Sequence, residues 1–321
     1  MKRTAILGRA IVAALATLAG VSAVQAQSSV TAYGRLNLTV ERQKNAAGAT
    51  STVLQNNSSR IGFKGTEDLG GGLKAGFQLE HGFAADTGVA AATFWGRQSE
   101  VNLGGNFGTV RLGNFTSEAY YATADYISNH NHDTGTSSDA FYAYVGRNAN
   151  KIAYRLPSMG GFTLEGAVSL HESQVSGGRP LKNSFDLAAN YDAGPLHLGA
   201  GYEKNDQQNQ FAVRVFYELG DFGLGAYVQR DENGYAAGNR TTTRLTAMYT
   251  LGGLTEFHLN WGHAGNYSKV AGDSSANQGT VGINYKLSKR TKVYGFYTKV
   301  DDKGRIYGDF SSLAVGLRHN F

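Results

Sequence analysis

Ser169 and His171 are the two residues of this sequence that come nearest to hydrolytic chemistry. Two positions apart on a strand they share one face, where a histidine can activate a serine hydroxyl. No aspartate or asparagine is arranged to orient the histidine, and the chain has no cysteine to act as the nucleophile instead. An enzyme, a lipase or protease, is therefore the least favoured function.

The segment Asn129-His130-Asn131-His132-Asp133 is the second candidate for chemistry. Two histidines separated by one residue can chelate a metal ion. A polar loop tip without metal is the commoner origin of such a cluster, and no thiolate ligand is available. The sequence also has no phosphate-binding or dinucleotide fingerprint in a strand–helix context. We therefore predict no metal centre and no cofactor.

The composition excludes several classes of protein. The chain of 321 residues has 43 Gly, 3 Pro and no Cys, with 11% aromatic and 41% hydrophobic residues. The missing cysteines exclude a disulfide-stapled domain, and the aromatic content argues against a disordered chain. A helical membrane protein is excluded too, because it needs apolar runs of about 20 residues and none occurs.

The N-terminal 26 residues are typical of an export signal. Three basic residues precede an apolar stretch over residues 10–21, and small residues occupy positions −3 and −1 before Gln27. We predict a signal peptide at 1–26 and one mature domain at 27–321. Its removal lowers the formal charge from +5 to +2, because three cations and no acids are lost. So small a charge gives no support to nucleic-acid binding.

Beyond residue 27 the apolar residues recur with a period of two. Residues 73–80 alternate strictly, and Phe211, Val213, Val215 and Tyr217 are each separated by one residue. This alternation predicts strands with one apolar and one polar face. No segment shows the period of an amphipathic helix with any clarity, so we expect a chain of strands and turns.

The predicted connections alternate in length. Tight glycine-containing turns, such as residues 68–72 and 104–106, alternate with longer polar loops, of which 116–139 is the longest. The count gives about sixteen strands, and this alternation is typical of outer-membrane barrels. A soluble sandwich needs a second layer on each apolar face, which the charged polar faces do not offer. Because lipid forbids an open sheet edge, we predict an all-β fold: a transmembrane antiparallel β-barrel wide enough to hold water.

Aromatic residues gather near the predicted strand ends. The set comprises Phe83, Phe94, Trp95, Phe115, Tyr191, Tyr202, Tyr217, Phe222, Tyr249, Tyr285 and Phe321. Amphipathic rings there would form the two belts that mark the membrane interfaces. Glycine lets strands bend and spares space in the lumen, and proline is scarce because strands need their N–H donors.

Five segments resemble the Gram-negative general porins, which are trimeric diffusion channels of the outer membrane. They are residues 30–35, 59–70, 107–113, 144–147 and 316–321. The most specific is Arg60-Ile61-Gly62-Phe63-Lys64-Gly65-Thr66-Glu67-Asp68-Leu69-Gly70. The resemblance covers the mature chain in order. It implies a homotrimer in outer-membrane lipid, with a water-filled channel through which ions and small hydrophilic solutes diffuse passively.

The resemblance also implies a constriction. In general porins the third loop folds into the barrel, and acids on it face cations on the opposite wall. Residues 116–139 stand where this loop belongs, between the predicted fifth and sixth strands. Their acids are Glu118, Asp125, Asp133 and Asp139. The basic wall maps onto Arg35, Arg60 and Arg147, which all lie on the polar face by the alternation of the sequence.

Asn114 departs from the family, which commonly has another arginine of the wall here. Arg111 has the parity of the lumen and can compensate. The predicted constriction comprises Arg35, Arg60, Arg111, Asn114, Glu118, Asp125 and Arg147. We expect a weak preference for anions, whose strength is open because of Asn114. The loops show no aromatic track, so a general channel is favoured over the alternative, a solute-specific outer-membrane channel.

Overall fold

The computed structural model describes residues 29–128, 140–172, 175–176, 179–180 and 182–321. The predicted signal peptide at 1–26 lies outside these residues. The described chain forms β1 Ser29–Lys44, β2 in two segments Thr50–Asn56 and Arg60–Gly70, β3 Leu73–Ala84, β4 Gln98–Gly105, β5 Gly108–Asn114, β6 Lys151–Arg155, β7 Phe162–Ser169, β8 Ser184–Ala193, β9 Leu196–Asn205, β10 Gln208–Leu219, β11 Phe222–Glu232, β12 Asn239–Leu251, β13 Thr255–Ala264, β14 Ala276–Lys286, β15 Thr291–Asp302 and β16 Phe310–Asn320.

Smaller elements lie in the connections. Two-residue strands occur at Val89–Ala90, Val175–Ser176 and Arg179–Pro180. A single turn of helix, α1 at Glu118–Tyr120, continues as a π-helical turn at Tyr121–Asp125. Within the described residues, no helix is long and apolar enough to cross a membrane.

The sheet closes on itself. Each strand pairs antiparallel with its neighbours in sequence, and β1 also pairs with β16, where Arg35 lies opposite Asn320. Gly34 and Phe321 exchange two backbone hydrogen bonds, each of 3.0 Å. Pairing of the first strand with the last turns the sheet into a barrel. The prediction of an antiparallel barrel of about sixteen strands is thereby confirmed.

The two faces of each strand differ as the period of two predicts. On β10, Phe211 is 50% exposed and Val213 is also exposed, whereas Gln210, Ala212 and Arg214 are buried. Apolar side chains therefore cover the outside of the barrel, and polar side chains line the inside. This is the reverse of a soluble core, and it explains a low mean hydropathy of −0.32 in a membrane-spanning chain.

Several of the predicted interfacial aromatics do form an outer belt near the short turns. Phe222 stacks on Tyr249 with ring centroids 4.7 Å apart, and the rings of Phe162 and Tyr191 are 4.4 Å apart. Phe115 does not belong to this belt, so the prediction was wrong for this residue. Its side chain is 1% exposed and turns inward, because Phe115 follows β5 at the point where the chain enters the barrel.

The connection between β5 and β6 extends beyond the predicted range of 116–139. β5 ends at Asn114 and β6 begins at Lys151, so residues 144–147 belong to the loop and not to the start of a strand. Near them, the backbone of the loop bonds to side chains of the wall and not to a neighbouring strand. The N–H of Val145 donates to Glu203 Oε2 at 3.3 Å, and the N–H of Ala143 donates to Gln229 Oε1 at 2.8 Å.

Candidate channel constriction

The described parts of the loop between β5 and β6, residues 115–128 and 140–150, are folded into the barrel and lie along its inner face. The hydroxyl oxygen of Ser117 caps α1 by accepting from the N–H of Ala119 at 3.1 Å. The buried side of α1 and the π-helical turn presents Ala119, Ala122 and Ala124 to β8–β10. From this wall, Arg214 Nε donates to the carbonyl oxygen of Ala122 at 2.9 Å.

The returning part of the loop is held by side chains of β10–β12. Gln229 bonds both the N–H and the carbonyl oxygen of Ala143, at 2.8 and 3.1 Å. Arg240 donates to the carbonyl oxygen of Phe141 at 3.0 Å, and Gln210 donates to the hydroxyl of Tyr142 at 2.9 Å. These bonds satisfy loop backbone that would otherwise be buried without partners.

An ionic network fixes the root of the loop. Arg111 on β5 binds Glu100 at 2.8 Å and Glu165 at 2.9 Å. Arg155 on β6 binds Glu165 at 2.9 Å and reaches Glu118 of α1 at 2.7 Å. The ring of Phe115 lies 4.2 Å from the Arg111 guanidinium carbon. Arg111 is thus committed to carboxylates of its own wall.

Glu118 lies on the same side of the barrel as Arg111 and Arg155. Its carboxylate is 3.9 Å from Arg111 and 2.7 Å from Arg155. Burial raises the pKa of Glu118, and the charge of Arg155 opposes this effect. These contacts anchor α1 on the wall through Glu118, and its role in the constriction stays a prediction.

Arg35 and Arg60 lie directly opposite each other on the neighbouring strands β1 and β2. Arg35 Nε donates to the carbonyl oxygen of Ser58 at 3.2 Å. Arg60 lies 3.7 Å from Glu80 of β3, and the same carboxylate binds Arg97 at 2.6 Å. Like charges directly opposite each other destabilise a sheet, so this pair is kept at a cost in stability.

Arg97 is a wall cation that the sequence prediction missed. It immediately precedes β4, in a segment that Asn114 holds by donating to the carbonyl oxygens of Trp95 and Gly96 at 3.3 and 3.1 Å. Asn114 carries no charge, but its two hydrogen bonds position the segment that places Arg97 on the wall.

Asp125 and Arg147 lie at different heights. Asp125 ends the π-helical turn half-buried, where Tyr120 donates to it at 3.2 Å. Arg147 lies near the long-loop ends of β7–β9, and its guanidinium donates to the carbonyl oxygens of Leu170 and Lys182 at 3.3 and 3.0 Å. Arg147 therefore braces connections near the rim. The predicted loop residues His130, His132, Asp133 and Asp139 lie outside the described residues.

Sequence comparison gives the family. A profile of the Gram-negative porins matches residues 10–305. This chain belongs to the Gram-negative porin family. Outer membrane porin protein 32 of Delftia acidovorans is 33% identical over 310 residues, which cover 88% of this chain and 86% of that protein. Major outer membrane protein P.IB of Neisseria meningitidis serogroup B is 30% identical over 339 residues, covering 93% and 96%. The resemblance drawn from the sequence is confirmed, and the porin is an outer-membrane protein.

Solved porin structures have the same fold. An anion-selective porin from Comamonas acidovorans superposes with a TM-score of 0.77 at 28% identity, covering 92% of this chain and 100% of that one. The trimer form of OmpT from Vibrio cholerae gives a TM-score of 0.73 at 15% identity, covering 92% and 99%. At that identity the second match shows the fold alone.

Three tyrosines of the inner loop were also missed as a group. Tyr121 and Tyr144 are exposed and Tyr120 is half-buried between them, with centroid distances of 5.5 Å from Tyr120 to Tyr121 and 4.9 Å from Tyr120 to Tyr144. The sequence already places Tyr120 and Tyr121 next to each other. The sequence could not show that Tyr144 packs on Tyr120, because the two residues are brought together only where the loop folds back.

We expect Gly199→Ala to loosen the inner loop of this porin. A Cβ at Gly199 would lie 2.0 Å from the carbonyl oxygen of Ala122, so the π-helical turn or β9 must move. Overpacking of this kind costs about 1–3 kcal/mol. The unfolding midpoint in denaturant should fall and single-channel current noise should rise. Gly279→Ala is the matched control, since a Cβ there meets no atom within 4 Å. Equal behaviour of the two variants would contradict the packing of the loop on β9.

Proposed function

We propose that this porin forms a water-filled channel for passive diffusion of ions and small hydrophilic solutes, with a weak preference for anions. The observation that carries the proposal is the distribution of charge on the inner face. Where the loop covers the wall, cations and carboxylates are bound to each other, as in the network of Arg111, Glu100 and Glu165. Elsewhere on the wall, cations are in excess.

The excess lies on β14–β16, on β1–β3 and in the segment that precedes β4, which together are called here the open wall. Arg60 and Arg97 share one carboxylate, Glu80. Nearer the short turns, Lys292 lies directly opposite both Lys286 and Arg318 on its two neighbouring strands. Of these three cations, Lys286 binds Glu256 of β13 at 2.5 Å. Like charges directly opposite each other repel, so the placement of these three cations and of the Arg35–Arg60 pair lowers the stability of the barrel. In a narrow aqueous pore, such an excess raises the local concentration of anions.

The comparisons support the same proposal. The Comamonas acidovorans porin, which shares the fold at 28% identity, is described as anion-selective. We also propose that the chain is exported by its signal peptide, assembles as a homotrimer in outer-membrane lipid, and directs its short turns to the periplasm. Membership of the Gram-negative porin family, whose general porins are trimers, supports this assembly. We propose no catalytic activity, since family and fold favour a channel over a lipase or protease.

Arg60→Ala tests the function and its selectivity together. In a planar bilayer with a salt gradient, the purified wild-type protein should give stepwise conductance and a reversal potential of mild anion preference. Loss of Arg60 should lower the chloride-to-potassium permeability ratio, because Glu80 then faces Arg97 alone. An unchanged ratio would remove Arg60 from the constriction. The absence of conductance steps, or turnover of phospholipid or peptide by the same preparation, would overturn the channel proposal.

A further inference from the structure

Arg240 lies where the inner loop meets the long loops of the barrel. Its side chain is 0% exposed, although it is near the long-loop end of β12. The guanidinium donates to the carbonyl oxygen of Phe141 at 3.0 Å and to the hydroxyl of Tyr307, and its Nε lies 3.4 Å from Asp231 Oδ1. One buried side chain thus joins the returning part of the inner loop to the wall and to the loop between β15 and β16.

Three tyrosine rings surround this guanidinium. Its central carbon lies 4.6 Å from the ring centroid of Tyr267 and 5.5 Å from those of Tyr235 and Tyr307. Each ring comes from a different long loop, which follow β11, β13 and β15 respectively for Tyr235, Tyr267 and Tyr307. Because the face of an aromatic ring attracts a cation, three loops are held around one buried charge.

Hydrogen bonds link the rings to each other and to the inner loop. The hydroxyl of Tyr267 donates to Asp231 Oδ2 at 2.7 Å and accepts from the N–H of Tyr235 at 2.9 Å. The hydroxyl of Tyr235 donates to the carbonyl oxygen of Tyr142 at 2.7 Å. The inner loop is therefore bound at two successive carbonyl groups, those of Phe141 and Tyr142.

The ring of Phe141 is packed against the wall of the barrel. It is 1% exposed and lies among Ala264, Ala276 and Val300 of β13–β15. Its centroid is 4.8 Å from that of Tyr307. Because the closed sheet lies directly behind this segment, the segment has space to move only towards the water of the lumen. Its release would narrow the pore.

We propose that Arg240 is a positioning residue for the constriction: it holds residues 140–143 against the wall, and its loss lets this segment enter the lumen and close the channel transiently. The inference rests on the proposed channel function. Lysine cannot replace Arg240, because one ammonium group does not reach Asp231, Tyr307 and the carbonyl of Phe141 together. The guanidinium uses a different nitrogen for each of them.

Single-channel recordings of Arg240→Lys in a planar bilayer test the proposal. The ratio of closed to open time should rise by at least about tenfold over wild type, because the buried Asp231 loses its close partner. Closing should be transient, since Gln229 still bonds the backbone of Ala143. Tyr307→Phe removes only the hydroxyl bound to Arg240 and should raise the ratio less; it carries the test if Arg240→Lys does not fold. An unchanged ratio in the variants that fold would overturn the proposal.

An engineered disulfide shows which segment moves, because the chain has no cysteine of its own. A Cβ at Gly234 would lie 2.7 Å from that of Ala143, so a small shift brings the pair Gly234→Cys and Ala143→Cys to the separation of about 3.5–4.5 Å in a disulfide. Added to Arg240→Lys, the oxidised pair should restore steady current, and a reductant should restore closing in the same channel. This comparison within one channel removes the effect of the substitutions themselves, including the approach of the new Cβ to Asp231 at 2.6 Å. Persistent closing of the oxidised channel would overturn the proposal.

The pair Gly304→Cys and Ser274→Cys is the matched control. A Cβ at Gly304 would lie 3.0 Å from that of Ser274, and the pair joins two long loops without the inner loop. When oxidised, it should leave the closing of Arg240→Lys unchanged. Restoration of steady current by this pair as well would show that the long loops close the channel, and the proposed movement of the inner loop would be wrong.

Chemical labelling reads the position of the inner loop without any current. Ala143 is 1% exposed, so Ala143→Cys should react slowly with a maleimide in the detergent-solubilised protein. Combined with Arg240→Lys, it should react at least about tenfold faster, because local opening exposes the thiol. If the wild-type protein gave no conductance, the channel function would fail, and the labelling rates would decide the role of Arg240. Equal rates would overturn it.

Discussion

Arg97→Glu is expected to reverse the ion preference of the channel from weakly anionic to cationic. In the wild-type protein, Arg60 and Arg97 surround Glu80, so this part of the open wall carries one excess positive charge. The substitution replaces that excess by one excess negative charge. Two unit charges 4 Å apart interact by about 1 kcal/mol even in bulk water, which corresponds to about a fivefold change in local ion concentration. A change of two charges should therefore move the permeability ratio by about an order of magnitude or more.

The measurement is the reversal potential in a potassium chloride gradient, read for wild type, Arg97→Glu and Arg97→Gln. The Gln variant should lie between the other two, because it removes one charge and adds none. Arg230→Glu makes the same reversal on the exposed face of β11, where Arg230 contacts Thr241. It should leave the ratio near that of wild type. If Arg97→Glu and Arg230→Glu shifted the potential equally, Arg97 would not act within the pore.

The period of two in the sequence predicted the barrel and the inward direction of Arg35 and Arg60. That inference is reliable because a side chain on a strand can point to only one of two faces, and the face in contact with lipid must be apolar. The same rule assigned Arg111 to the inside. It did not reveal that Arg111 is bound to Glu100 and Glu165, since cross-strand partners depend on register.

Arg97, which the sequence reasoning missed, and Arg147, which it assigned to the start of a strand, both belong to loops. Arg97 precedes a strand, and its direction is set by the hydrogen bonds of Asn114 to Trp95 and Gly96. Arg147 has the parity of a lumen residue, but it lies in a loop whose backbone bonds to side chains such as Glu203. Neither arrangement has a period that can be recognised in a sequence. The roles of these residues in selectivity stay predictions.

Arg111→Leu is expected to destabilise the porin and release the root of its inner loop. The Arg111 side chain is 13% exposed, and its partners Glu100 and Glu165 are 5% and 2% exposed. Removal of the cation leaves Glu100 without its arginine and Glu165 with Arg155 alone. Breaking a buried pair by removing one partner typically costs about 3–5 kcal/mol, because the remaining charge has lost its water and its counter-ion.

The expected result is a lower midpoint of denaturant unfolding and refolding in lipid vesicles, together with larger fluctuations of single-channel current. Loss of side-chain volume could also lower the midpoint, and a double variant separates this cause from the loss of charge. Arg111→Leu combined with Glu100→Leu removes both members of one pair, and it should recover part of the stability because no carboxylate is left buried at position 100. Lys303→Ala breaks the exposed pair with Asp301 and should change the midpoint little. If the double variant unfolded at a lower denaturant concentration than Arg111→Leu, removal of the buried carboxylate would not have restored stability. The network would then contribute through packing and not through charge.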